Sequence, residues 1–180
     1  LDRIDVLINN AGALFLKREV NSNGIEKTFA VNYLSHFRLT VSLIDVIKKT
    51  KNSRLVNITS MVHKFAKLNL SDMNFSINYN GYVAYFNSKL MNLLFSYKIN
   101  RIYHNDINCY AIHPGWLNTN FGNNNQSNIR FLLDFVRGKL ADNNLLGLST
   151  KKRYRPFFKE QTKDHEIAQN IVPSIFQKKW

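Results

Sequence analysis

The sequence predicts an α/β fold built on a parallel sheet, and three observations carry that prediction. Short apolar runs at 6–8, 54–59 and 107–112 alternate with two long stretches of helical periodicity at 24–50 and 81–104. Strand, helix, strand, helix, strand at these lengths is the pattern of right-handed parallel crossovers. Each strand candidate also runs out into small, amide or turn-forming residues: Asn9-Asn10-Ala11-Gly12, Thr59-Ser60 and His113-Pro114-Gly115. Ligands of open α/β sheets bind beyond the carboxyl ends of the strands, so Gly12, Ser60 and Pro114 are expected along one rim.

Taken in order, the chain opens on Leu1-Asp2-Arg3-Ile4-Asp5, which lacks a signal-peptide pattern, and enters the apolar triplet Val6-Leu7-Ile8 at once. Three apolar residues in succession predict a strand buried on both faces. The Asn-Asn-Ala-Gly that follows lets a ligand come close to the backbone. In 24–50, Ile25, Phe29, Tyr33, Phe37, Val41, Ile44 and Ile47 recur at intervals of three or four, which predicts a long amphipathic helix. It is expected to break near Asn32, whose side chain competes for backbone hydrogen bonds. The second strand is placed at 54–59, the second helix at 81–104 and the third strand at 107–112. Farther on, Asn123-Asn124-Asn125 reads as loop. The very apolar 131–136 reads as a short helix suited to core packing, a lid or a membrane surface. A helix at 162–176 should be interrupted by Pro173.

Composition bounds the function classes. The 180 residues are 44% hydrophobic, enough for one domain with a real core. No run approaches the roughly 18 consecutive apolar residues of a membrane-spanning helix. A single cysteine, Cys109, excludes an internal disulfide framework and fits a reducing compartment. The formal charge of +13 comes from 25 basic and 12 acidic residues. The positive residues are scattered, and the densest cluster is Lys151-Lys152-Arg153-Tyr154-Arg155. A solvated face, a contact to acidic lipid headgroups or an anionic cofactor phosphate therefore stands ahead of nucleic acid as the reason for the charge.

The chemistry centres on Tyr85 and Lys89. Residues i and i+4 share a helix face, so a phenol and an ammonium can address one bound molecule. Of the eight tyrosines, only Tyr85 has a lysine four residues on, and it follows the strand-end Ser60 by 25 positions. With Asn9-Asn10-Ala11-Gly12, Asn32 in VNYLSHF and Pro114-Gly115 in the same order, the sequence resembles the short-chain dehydrogenase/reductases. The Ser60–Tyr85 spacing, Val62-His63-Lys64 and Ser88-Lys89-Leu90 look most like the retinol dehydrogenase-like branch. The resemblance is close over 1–120 and looser to 176.

It implies a Rossmann-like, doubly wound parallel sheet and reversible hydride transfer between a nicotinamide cofactor and an alcohol or carbonyl. Tyr85 would exchange the proton, Lys89 would support it and hold the nicotinamide ribose, and Ser60 would hold the substrate oxygen. Asn32 would keep a helix kink with a water that relays protons to the lysine. Asn10, Ala11, Gly12, Tyr85, Lys89, Pro114, Gly115, Leu117 and Thr119 would contact the cofactor, with NADP(H) ahead of NAD(H). The substrate is expected to be a small lipophilic molecule, retinoid-, steroid- or long aldehyde-like. No metal is expected. His63 and His113 lack a second ligand at i+3 or i+4 and read as structural.

None of the glycines at 12, 24, 81, 115, 122, 138 and 147 forms the Gly-rich turn that receives a dinucleotide pyrophosphate. In the family that turn precedes the Asn-Asn-Ala-Gly strand. The chain is therefore read as an N-terminally truncated single domain over 1–180, only the later part of a Rossmann-like sheet, with about 113–180 as a substrate-binding or lid segment. Two other readings stay open: a catalytically inactive scaffold of the same descent that binds no cofactor, and a basic interaction module. The expected location is intracellular, in the cytoplasm or on the cytosolic face of the endoplasmic reticulum with a peripheral membrane contact.

Overall fold

The computed structural model describes residues 1–114. Strand β1 (Val6–Asn9) is followed by helix α1 (Lys27–Phe29), a π-helical turn (Ala30–Leu34) and helix α2 (Ser35–Lys49). Strand β2 (Arg54–Ile58), two 3₁₀ turns (Met61–Phe65 and Leu70–Asp72), helix α3 (Gly81–Tyr103) and strand β3 (Asn108–Ile112) complete the order. The strands lie β1-β2-β3 and all run parallel, with Asn9 beside Asn57 and Ile58 beside Ile112. All three carboxyl ends therefore emerge on one rim, as the alternation of strands and helices requires. The expected segments at 115–180, including those at 131–136 and 162–176 and the 151–155 cluster, lie outside the described residues.

The first helical stretch starts later than its periodicity predicts and is wound in three pieces. Val20 and Glu26 form an antiparallel bridge across a turn in which Gly24 adopts φ +72°. A positive φ suits glycine because it has no Cβ to clash. Glu26 then caps α1. Its fully buried carboxylate accepts hydrogen bonds from the Thr28 and Phe29 amides at 2.7 Å each and from the Tyr79 hydroxyl at 3.0 Å. Those bonds satisfy amides that a helix start leaves orphaned.

Helix α3 starts under the cap of Asn80, whose side chain accepts from the amides of Tyr82 and Val83. Its first residue must be glycine, since a Cβ on Gly81 would stand 2.3 Å from the Phe15 carbonyl oxygen. That close approach brings α3 against the loop after β1. Helices α2 and α3 cover one face of the sheet, where Phe37, Ile47, Leu55, Leu90, Met91, Leu94, Phe95 and Cys109 form the core. Phe37 and Phe95 meet edge to face at 5.5 Å between ring centroids, within the favoured range for aromatic pairs.

The opposite face differs from expectation. Val6 and Ile8 of β1 are 41% and 58% exposed, and Tyr110 and Ile112 of β3 are exposed with them. Strand residues alternate between faces, and the described helices cover one face only. Among the described residues the triplet Val6-Leu7-Ile8 is thus covered on one side only.

Candidate active site

The rim is assembled from the loop after β1, the π turn, the end of β2 and the first half of α3. A π turn holds one more residue than an α turn, and here it carries Asn32 inward. The Asn32 side chain pairs with the Ala13 backbone in both directions: its Oδ1 accepts the Ala13 amide at 2.7 Å and its Nδ2 donates to the Ala13 carbonyl at 2.9 Å. The same Nδ2 donates to Ser88 Oγ at 3.1 Å. The expected break near Asn32 is therefore real, and the asparagine ties the β1 loop to α3.

Lys89 is buried, and its Nζ donates to the Ile58 carbonyl at 3.3 Å. The ammonium stands 5.5 Å from the centroid of the Tyr85 ring. A Cβ built on Gly12 would lie 3.6 Å from both Lys89 Nζ and Asn32 Oδ1. Gly12, Asn32, Tyr85 and Lys89 thus converge, with Asn10 and Ala11 exposed at the mouth of the same turn. Thr59 fastens the end of β2 to the helix by donating from Oγ1 to the Lys89 carbonyl at 2.8 Å.

Ser60 follows directly and caps the first 3₁₀ turn, with Oγ 3.5 Å from the Val62 amide. That bond is long and weak. The segment after Ser60 is held to α3 by Asn87, whose side chain accepts the Lys67 amide at 2.7 Å and donates to the Lys67 carbonyl at 2.9 Å. His63 Nδ1 lies 2.6 Å from the Ser60 carbonyl, a structural contact. Burial lowers the His113 imidazole, with His63 adding to the effect. Pro114 closes the described chain, while Gly115, Leu117 and Thr119 lie outside it. Among the described residues no three His, Cys, Asp or Glu side chains gather as metal ligands.

Residues 1–130 match the family model of the short chain dehydrogenases. The chain belongs to the short-chain dehydrogenase family. Within that family it resembles retinol dehydrogenase 14 of Mus musculus, at 37% identity over 121 residues that cover 67% of this chain and 36% of the relative. Polyprenol dehydrogenase of Homo sapiens is 35% identical over 123 residues, covering 64% of this chain and 37% of that protein. The chain therefore spans about a third of the length of the curated relatives it matches. A solved structure of an uncharacterised protein from Mycobacterium paratuberculosis superposes with a TM-score of 0.59 at 35% identity, covering 67% of this chain and 45% of that one. The three-stranded parallel sheet is thus part of the Rossmann-type fold of a short-chain dehydrogenase, in the retinol dehydrogenase-like branch.

The electrostatics of this candidate site are governed by desolvation. Burial pushes the Tyr85 phenol above its ordinary value and pulls the Lys89 ammonium down to about 8. An adjacent cation would lower the phenol, but here burial outweighs it. At neutral pH Tyr85 keeps its proton and Lys89 is mostly charged, which suits a proton donor beside a cation.

Motif reasoning missed the polar seam beneath the pair. Asn9 Nδ2 donates to Thr40 Oγ1 at 2.9 Å and to Asn57 Oδ1 at 2.7 Å; Asn57 Nδ2 donates to Ser96 Oγ at 2.8 Å. Ser96 Oγ donates to the Asn92 carbonyl at 2.9 Å, and Asn92 Nδ2 donates to the Asn32 carbonyl at 2.9 Å. Ser88 Oγ, which takes the Asn32 amide, donates to the Tyr85 carbonyl at 2.7 Å. Tyr85, Ser88, Asn92 and Ser96 recur at three or four along α3, but the helix also carries Asn87, Lys89, Lys98, Asn100 and Arg101, so spacing alone does not single out the seam.

Proposed function

We propose that this chain carries the proton-transfer half of an oxidoreductase that moves hydride between NAD(P)(H), with NADP(H) ahead, and a lipophilic alcohol or carbonyl. The observation that carries the reading is the convergence of Gly12, Asn32, Tyr85 and Lys89 on one rim. The fit to a nicotinamide cofactor is supported by the close approach of the Gly12 backbone to Lys89, where a Cβ would already meet Lys89 Nζ and Asn32 Oδ1 at 3.6 Å. Asn10, Ala11 and Gly12 would present their backbone to the cofactor, and Lys89 would hold its ribose. Bound there, the nicotinamide would supply or accept the hydride.

In reduction, Tyr85 gives its phenolic proton to the substrate oxygen and becomes a phenolate beside Lys89. In oxidation the phenolate takes that proton back. Ser60 Oγ, held only by the long contact to Val62, is available to donate to the substrate oxygen and stabilise charge developing there. Relatives named for retinol and polyprenol support a lipophilic substrate. No described helix is long and apolar enough to cross a membrane. A lipophilic substrate and a positive chain are consistent with peripheral contact at the cytosolic face of the endoplasmic reticulum.

The test is Tyr85→Phe in the full-length protein, with NADPH and a lipophilic aldehyde. Turnover should fall by roughly 10² to 10⁴, the range for a general acid. Equal rates would place the proton donor elsewhere.

A further inference from the structure

His36, on α2, is a buried titratable side chain that the proposed reaction leaves unused. It is 4% exposed, and both ring nitrogens are shielded from solvent with no partner at hydrogen-bonding geometry. Its place follows from the turns on either side: Asn32, four residues before, pairs with Ala13 and its carbonyl accepts from Asn92 Nδ2, and Thr40, four residues after, accepts from Asn9 Nδ2, so His36 faces Ala11 and Asn92 with Lys89 nearby. Asn92 Oδ1 is itself buried without a partner. Its Nδ2 is committed on the catalytic side, to the Asn32 carbonyl at 2.9 Å and more weakly to the Ile58 carbonyl at 3.5 Å. Folded interiors rarely keep such groups unpaired.

The placement gives the gap a meaning. Ala11 immediately precedes Gly12 in the candidate cofactor turn, and Asn92 lies three residues beyond Lys89, one helical turn on. His36 stands between them. Burial, reinforced by Lys89, lowers the imidazole below its ordinary value, so it is neutral at pH 7 and has a single N–H to give. That N–H can serve one carbonyl oxygen at a time. Hydrogen bonds at catalytic sites are often long in the free protein and tighten in the complex.

Resting on the function proposed above, we infer that His36 is a positioning residue: when the nicotinamide cofactor seats on Asn10-Ala11-Gly12, His36 closes onto the Ala11 carbonyl and locks the turn over Lys89. It touches neither substrate nor the reacting atoms. Its effect is on cofactor affinity, and measuring Tm beside Kd separates that effect from folding.

Titration of the full-length protein with NADPH, followed by fluorescence, tests this. His36→Leu should raise the NADPH Kd about tenfold, the worth of one hydrogen bond of about 1.4 kcal/mol, without lowering Tm. His36→Gln, whose amide can donate, should stay within about threefold of wild type. In the wild-type protein with ¹⁵N-labelled histidine, NADPH should shift the His36 ring resonance and slow exchange of its N–H, a readout that needs no variant. An unchanged Kd in His36→Leu, a His36→Gln as weak as His36→Leu, or a ring resonance indifferent to NADPH overturns the inference alone. Failure of wild type to bind NADPH overturns the functional reading together with it.

Discussion

On the helix-covered side of the sheet, Asn9 and Asn57 lie in mid-core and hand hydrogen bonds to Thr40 and Ser96. On the other side, Val6, Ile8, Tyr110 and Ile112 stand exposed. The covered face carries a polar seam through an otherwise apolar core, and the other face leaves apolar side chains exposed. The buried polar face leads through Asn92, Asn32 and Ser88 to Tyr85, so its polarity is tied to the placement of the site. The apolar exposed face touches none of those groups. Burial marks the helix-covered side, and the bonded polar groups within it mark where on that side the candidate site lies.

Substitutions on the two faces should separate them. The largest change is expected at Lys89. Its pKa is lowered on folding from 10.5 to about 8, so the unfolded chain binds the proton more tightly and folding is penalised at neutral pH. Lys89→Met should therefore stabilise the protein by about 3 kcal/mol at pH 7. The advantage over wild type should shrink as pH rises from 8 to 10.5, where the wild type no longer loses a proton on folding. Urea unfolding of both proteins at pH 7 and pH 10 measures it, and a pH-independent difference would mean that the cost of burying the charge is not what separates them.

On the same face, Asn57→Leu removes its bonds to Asn9 and Ser96 and should cost about 2 kcal/mol, read as a lower denaturant midpoint at unchanged slope. Thr40→Val keeps the shape and removes only the acceptor for Asn9, so about 1 kcal/mol is expected in the same assay. Across the sheet, Ile8→Thr should change stability by less than about 0.5 kcal/mol, because the side chain is 58% exposed and bonds to nothing. If Ile8→Thr costs as much as Asn57→Leu, something covers that face in the full-length protein.

The alternation of periods made the fold legible, because strand and helix periodicities differ and the strand-end residues mark where each apolar run stops. Tyr85, Lys89 and Gly12 were legible because their spacing and order are unusual together. The apolar triplet alone reads as a strand buried on both faces, and the exposure of Val6 and Ile8 follows only from reading the chain as the later part of a larger sheet, which leaves one face without its cover. The polar seam was hidden for another reason. Asn9, Asn57 and Ser96 are ordinary residues in sequence, and only the register that sets Asn9 beside Asn57 gives them partners.

The π turn at Ala30–Leu34 has a consequence for comparing this chain with others. An α-helix advances about 100° per residue, so the one extra residue in a π turn rotates everything on one side of it by that amount relative to the other. Deleting a single residue within 30–34 would restore plain α winding, leave α2 in register with the sheet, and swing Lys27, Thr28 and Phe29 a quarter-turn or more out of place. Asn32 would lose its reach to Ala13. A one-residue gap at this point in an alignment is thus a change of helical phase, and a chain that shows it will have lost the asparagine clasp even if an asparagine still stands nearby.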